Sequence, residues 1–246
     1  MRINKDYHIH SKYSKNGHCK SEIESIVQKA LSLGLDEIAI SDHGVKHVLY
    51  GTNEKNLIKA KNEIIALNKK YEGINIKLGI EANLISFDGL TDITDIVAEN
   101  CEVIQMGIHY GVIFRGIRGF FEFFLLNFLG RFISPIRRYM IKRNTDAMIK
   151  AMERYNIDII THPGDKIPVD IERLSEKAAE TNTILEINNS HKHLTKKEIL
   201  MASKYAVSFI IGSDSHEYDQ IGKFEDALNR IVEAGLSMDR VVNLEV

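Results

Sequence analysis

Cysteine and proline are scarce, with two and three residues respectively among 246. Cys19 and Cys101 follow no metal-binding spacing and suggest no disulfide framework, which fits a reducing cytoplasm. Three prolines argue against a Pro-rich tether, and neither a linker nor a fixed-period repeat is visible. An excess of one charge is also missing. Lys and Arg number 32 against 34 Asp and Glu, a net charge of −2, so a globally basic nucleic-acid binder is not indicated. The first residues, Met1-Arg2-Ile3-Asn4-Lys5-Asp6-Tyr7, carry no apolar signal core and no cleavage site, so secretion is not expected. The length suits one large α/β domain or two small ones and allows a full core.

What is present is alternation. Apolar, β-branched runs near 3–9, 36–41, 75–81, 101–108, 156–161, 182–187 and 206–212 read as strands, and a last short run at Val241-Val242-Asn243-Leu244 closes the chain. Helical periodicity lies between them. Ile23, Ile26, Val27, Ala30 and Leu31 share a face, with Gly34 as a stop; Leu57, Ala60, Ile64 and Leu67 share another. Later faces are marked by Ala147, Met148 and Ala151, by Leu174, Ala178 and Ala179, by Ile199, Leu200 and Ala202, and by Phe224, Ala227, Leu228 and Ile231. Repeated strand–helix units imply a parallel sheet, and seven right-handed crossovers favour a closed or nearly closed barrel. An open doubly wound sheet would use a Gly-rich first turn, whereas this first turn is His-Ile-His-Ser.

Seven of the ten histidines, with Glu81 and Asp214, fall just after these strand signals. They are His8, His10, His18, His43, His109, His162 and His216. His8 and His10 are two apart on a strand, so both face one way and form a chelating pair. Asp42-His43-Gly44 follows a buried run, and a buried imidazole must be hydrogen-bonded or metallated. An unpaired carboxylate at Glu81 is costly to bury, and a cation relieves that cost. Singly, each has a plain reading: a loop or core histidine, a salt-bridged glutamate, or an N-cap at Asp214. Jointly, at strand end after strand end, they point to a metal cage. His47, His191 and His193 stand outside this pattern and read as surface or substrate-loop residues. Lys166, after His162-Pro163-Gly164-Asp165, reads as a solvated loop lysine before a phosphate contact.

In this order, His8-Ile9-His10, Asp42-His43-Gly44, Glu81, His109, His162-Pro163-Gly164 and Gly212-Ser213-Asp214-Ser215-His216 resemble the motifs of the PHP (polymerase and histidinol phosphatase) family of metallophosphoesterases. The similarity extends to the compact, single-domain YcdX-like phosphatases, where Leu185-Glu186-Ile187-Asn188-Asn189-Ser190 also has a counterpart. The resemblance implies an α/β fold, a distorted (β/α)7 TIM-like barrel spanning 1–246 as one PHP-type domain, and three divalent metal ions. By position, it implies that His8, His10, Glu81 and Asp214 hold one ion. Glu81 bridges to a second, shared with His109 and His162, and His18, His43 and His216 hold a third. Seven nitrogens and two carboxylates suit zinc, manganese or iron better than magnesium or calcium, and zinc is the expected choice.

The expected activity is metal-dependent hydrolysis of a small phosphomonoester by a metal-bound hydroxide, with Asp214 or His216 as candidate proton relays. The expected partner is a small phosphorylated substrate and not nucleic acid. Alternatives are a phosphodiesterase or nuclease of the same family, an amidohydrolase-type metal hydrolase, and a membrane-associated binding protein with a vestigial barrel. An amidohydrolase often carries lysine at the end of strand four, where this chain has His109.

Residues 112–143 depart from the compact pattern as a helical insertion. Ile117, Phe120, Phe121, Phe124, Leu125, Phe128, Leu129, Phe132 and Ile133 keep helical spacing. The run is too short for a confident span and carries Glu122. Seven basic residues from Arg115 to Arg143 flank it. A lid or dimer-forming hairpin over the barrel mouth is favoured over contact with an anionic membrane surface. The expected location is therefore the cytoplasm, with the inner membrane face as the peripheral alternative.

Overall fold

The computed structural model describes residues 1–245. Its strands are β1 (Arg2–Ile3), β2 (Lys5–Ile9), β3 (Glu37–Ile40), β4 (Asn75–Asn83), β5 (Val103–Gly107), β6 (Ile159–Ile160), β7 (Ile184–Asn188), β8 (Phe209–Gly212) and β9 (Leu244–Glu245). β2 to β8 pair in chain order, every neighbour parallel. A parallel bridge between Ile9 and Ser215, with the His10 N–H donating to Ser215 O at 2.9 Å, joins the first strand to the last. The expected distorted seven-stranded barrel is what forms. The closing apolar run does not add an eighth barrel strand: β9 pairs antiparallel with β1, outside the ring.

Alternation along the strands builds the barrel interior in layers. Ala39, Val103, Ile159 and Ile210 pack together with Tyr7 and Ile184, an apolar floor drawn from six strands. Two residues further along lie Ser41, Gln105, Thr161 and Glu186, a buried polar storey. Gln105 Nε2 there donates to Ser41 Oγ at 2.8 Å. Beyond it lie His43, two past Ser41, Asp214, two past Gly212, and His109, four past Gln105. The register of β2 against β3 shifts between Asp6 and Ile9, so Tyr7 joins the floor while His8 and His10 reach the upper layer.

A larger apolar layer lies between the strands and the helices. Around the ring run α1 (Ile23–Ser32), α2 (Glu54–Lys70), α3 (Asp95–Asn100), α4 (Ile117–Phe121), α5 (Asn127–Leu129), α6 (Ser134–Arg154), α7 (Ile171–Thr181), α8 (Lys196–Ala202) and α9 (Glu225–Ala234). The faces read from periodicity are the buried ones: Ile23, Ile26, Val27 and Ala30 in α1, and Leu57, Ala60, Ile64 and Leu67 in α2. Gly34 follows α1 at φ 74°, a left-handed stop that favours glycine. The sequence reading missed α3. It has one buried side chain, Val97, and is marked only by the Thr94 hydroxyl capping the Val97 N–H.

The connection from β5 to β6 holds the 112–143 segment. α4 runs through a π-helical stretch, Glu122–Leu126, into α5, and α6 turns back against them. Phe123 stacks on Phe114 at 4.4 Å and meets Phe87. Asn144 donates to Asn127 Oδ1 at 2.9 Å. Among the described residues no helix is long and apolar enough to cross a membrane.

Candidate metal centre

Every strand from β2 to β8 delivers a polar side chain to one end of the barrel. Glu81 sits at the centre and is fully buried. Its Oε1 lies 2.9 Å from His162 Nε2, 3.2 Å from His109 Nε2 and 3.6 Å from His8 Nε2. Its Oε2 lies 2.7 Å from His43 Nδ1, without hydrogen-bond geometry, and 3.9 Å from His10 Nε2. Asp214 forms a second focus, with Oδ1 at 3.3 Å from both His8 Nε2 and His10 Nε2. His216 stacks on His10 with ring centres 4.2 Å apart. His18 approaches His216 and His43, with ring centres at 4.3 and 5.2 Å, and lies flat on Tyr50 at 3.9 Å. All nine expected ligands thus meet in one place. The donor atoms of His10, His43 and His216, of His8, His10 and Asp214, of His8, Glu81 and His162, and of His43, Glu81 and His109 each cluster tightly enough for one ion. His18 belongs to none of these groups.

Two backbone strains aim the ligands. His162 at φ 29° and Asp214 at φ 51° lie in the left-handed region just past their strands, where a non-glycine residue is disfavoured.

A further set of carboxylates and amides orients the rings. Glu186 accepts from His8 Nδ1 at 2.7 Å and from the His162 N–H at 2.8 Å. An ionised carboxylate only accepts, so His8 Nδ1 carries the hydrogen and Nε2 faces the centre. His109 is fixed likewise. Asn83 donates its amide to Asp92 at 2.8 Å, so its oxygen faces His109 Nδ1, also at 2.8 Å, and His109 Nε2 is turned inward. Asn188 bridges Glu186 and Asp214 at 3.0 and 3.1 Å. Motif reading quoted Glu186 and Asn188 without giving them work, although their spacing of two, on one strand face, was a usable signal. Nothing local marks Asp92, which acts across a loop.

The electrostatics suit ligation. Burial alone would push Glu81 and Asp214 upward. The imidazoles beside them, chiefly His109 and His43 for Glu81 and His8 for Asp214, instead hold both carboxyls well below the usual carboxylate range. Burial, with His216 beside it, lowers His10 to about 3, and burial lowers His43 well below the ordinary histidine value. His8 is opposed by burial, yet Asp214, Glu186 and Glu81 raise it well above that value.

Two of the histidines read as surface or substrate-loop residues border the cavity and lie against the centre. His47 is buried, stacked on His43 at 4.8 Å, and its Nδ1 accepts the Tyr50 N–H. His191 puts Nε2 3.2 Å from Asp214 and Nδ1 3.3 Å from Asp165, and with His162 and Asp214 forms another tight donor group. His193 instead pairs with Glu198 beside α8. Above the centre opens a cavity of about 700 Å³ lined by, among others, Tyr50, Tyr110, Asp165, Lys166 and His191. No residue of 112–143 lines it, although Arg131 lies over the ring of Tyr110, which does.

The donor set passes a direct test of fit to metal. His8 Nε2, His10 Nδ1 and Nε2, His18 Nε2, His43 Nδ1, His109 Nε2 and Glu81 Oε2 are buried without a hydrogen-bond partner. Such a concentration of orphaned polar atoms is unfavourable in a folded interior unless something binds them. Imidazole and carboxylate donors fit zinc.

A model of the PHP domain matches residues 6–238. The chain belongs to the PHP family. A probable phosphatase of Clostridium botulinum (strain Hall) is 30% identical over 258 residues, spanning all of this chain and 92% of its own. Another, of Thermoanaerobacter sp., is 31% identical over 260 residues with the same coverage. In fold, the chain is similar to the histidinol phosphate phosphatase of Lactococcus lactis, solved with zinc, L-histidinol and phosphate. The TM-score is 0.66 at 15% identity, over 96% of this chain and 95% of that one. The putative histidinol phosphatase of Listeria monocytogenes gives 0.61 at 17%, over 89% and 97%. This PHP protein is a hydrolase of phosphoesters.

Proposed function

We propose that this PHP protein is a metal-dependent phosphatase that releases phosphate from a small phosphomonoester in the cavity above Glu81. The observation that carries the reading is the set of orphaned, inward-turned nitrogens around Glu81 and Asp214. His8, His10, Glu81 and Asp214 would hold one divalent ion, Glu81, His109 and His162 a second, and His18, His43 and His216 a third, zinc being the best fit. Bound ions would bring a coordinated water to a pKa near ~7 and offset phosphoryl charge. The residues do the rest. Glu186, Asn83 and Asn188 keep the rings and Asp214 in fixed orientation. Asp214, held ionised, is fitted to ligation. His216, half-buried at the cavity edge, is placed here as a ligand of the third ion and is likewise fitted to ligation more than to proton relay. Lys166 borders the same cavity and adds positive charge for a phosphate. A small monoester is supported by the size of the cavity and by the phosphatase names of the relatives. We also take 1–246 as one PHP-type barrel domain, with 112–143 inserted in it.

The test compares p-nitrophenyl phosphate, its bis-ester and histidinol phosphate with protein before and after chelation. Monoester turnover that disappears on chelation and returns with zinc is expected. Preference for the bis-ester would move the protein to the phosphodiesterases, and turnover surviving thorough metal removal would remove the reading altogether.

A further inference from the structure

The 112–143 segment turns its apolar side chains outward. Phe123 and Asn127, one helical turn apart, face inward against Phe114 and Asn144 and are buried. Ile117, Phe121, Leu125, Phe128 and Phe132 lie on the other side, with Ile117 81% and Phe132 74% exposed. A contiguous apolar row of this size on a protein surface marks a contact with something else. Its charge setting says what. Seven basic side chains against the single acid Glu122 put +6 on residues 115–143, so the rest of a chain of net −2 carries −8. Arg118 borders the row, and with Arg115 and Arg143 it lines a separate polar hollow beside Phe114.

We propose that this face seats the protein on an anionic phospholipid surface. The Ile117–Phe132 row would enter the headgroup–acyl boundary, with the flanking arginines at the level of the lipid phosphates. The complementarity selects this occupant. A second copy would bring +6 against +6, which repels. A neutral surface would offer no anion to the segment's arginines, of which only Arg143 has an acidic partner among the described residues, Glu122. The −8 remainder is repelled by an anionic bilayer, so only this face can approach it. The cavity above the metal centre lies close by, because Tyr110, which lines it, packs near Phe123 and Phe124 and carries the Arg131 guanidinium over its ring. The proposal does not depend on the phosphatase reading.

The test is co-sedimentation of the full chain with phosphatidylcholine vesicles, with and without phosphatidylglycerol, at low and high salt. Wild type should bind the anionic vesicles at least about tenfold more tightly than the neutral ones, and added salt should weaken it. Phe121→Asp/Phe128→Asp and Arg118→Glu/Arg138→Glu, Arg138 being an exposed residue of α6 in the same basic set, should each lose about tenfold in partitioning, with melting temperature and turnover of a soluble phosphate ester unchanged. Wild type remaining in the supernatant, or both variants partitioning like wild type, overturns the proposal. So does a dimer in light scattering that Phe121→Asp/Phe128→Asp dissolves, because that gives the face to a second copy.

Discussion

Glu186 is buried and does not line the cavity, yet it fixes the tautomer of His8 and anchors the His162 backbone. Glu186→Gln keeps the shape and removes the charge. Zinc affinity should fall by about tenfold, the lower end for such supporting partners, with the fold intact by circular dichroism; unchanged affinity would mean that His8 needs no orienting carboxylate. The protonation of the same ring sets a pH dependence. His8 is raised well above the ordinary histidine value by Asp214, Glu186 and Glu81 against the opposing effect of burial. The metal-free protein therefore holds a proton there at neutral pH, and an entering ion must displace it. Apparent zinc affinity should climb as pH rises toward the raised His8 value, with protons released on binding, readable by calorimetry in buffers of different ionisation enthalpy. The stability of the metal-free chain has the opposite sign: the contribution of protonated His8 is present below the ordinary value and lost as pH rises through the raised one. The expected ligand histidines other than His18 were legible in the sequence because each follows a strand signal. Their hydrogen-bond partners were not, since Asn83–Asp92 and Glu186–His8 are pairings made only by folding.

At the scale of elements, the clearest gap between pattern and structure is the Ile117–Leu129 stretch. Its helical character was readable from spacing, but it is apolar on nearly every side, so periodicity could not say which side chain faces inward. The fold chooses Phe123, which stacks on Phe114. Phe123→Ala should therefore cost about 3–5 kcal/mol, lowering the melting midpoint by about 10 °C, whereas Phe121→Ala should stay within about 0.5 kcal/mol. Equal effects in differential scanning calorimetry would show that the assigned faces are wrong. α3 escaped notice for the reverse reason, since six residues with one buried side chain carry no measurable period. β6 is likewise only Ile159–Ile160, yet its position matters more than its length. Pairing with β5 and β7 places Thr161 against Glu81 at 2.9 Å and His162 at the centre.

For the whole molecule, the nine side chains at the barrel mouth tie together strands from both ends of the chain. Their orphaned nitrogens and the Glu81 oxygen are costly to bury without a partner. Chelation should lower the melting temperature and zinc should restore it, by about 4 kcal/mol at a thousandfold excess over the dissociation constant. A midpoint indifferent to chelation would contradict a structural role for the ions. The sequence by itself determined the alternation of strands and helices, hence the barrel, and the residue types at its mouth, because strand period and donor chemistry are local properties. Only the tertiary structure decided which nitrogen each ring turns inward, that His47 and His191 lie against the cluster, and which side chains of the 112–143 segment face solvent. Those outcomes depend on partners far apart in the chain, and no local pattern encodes a distance between them.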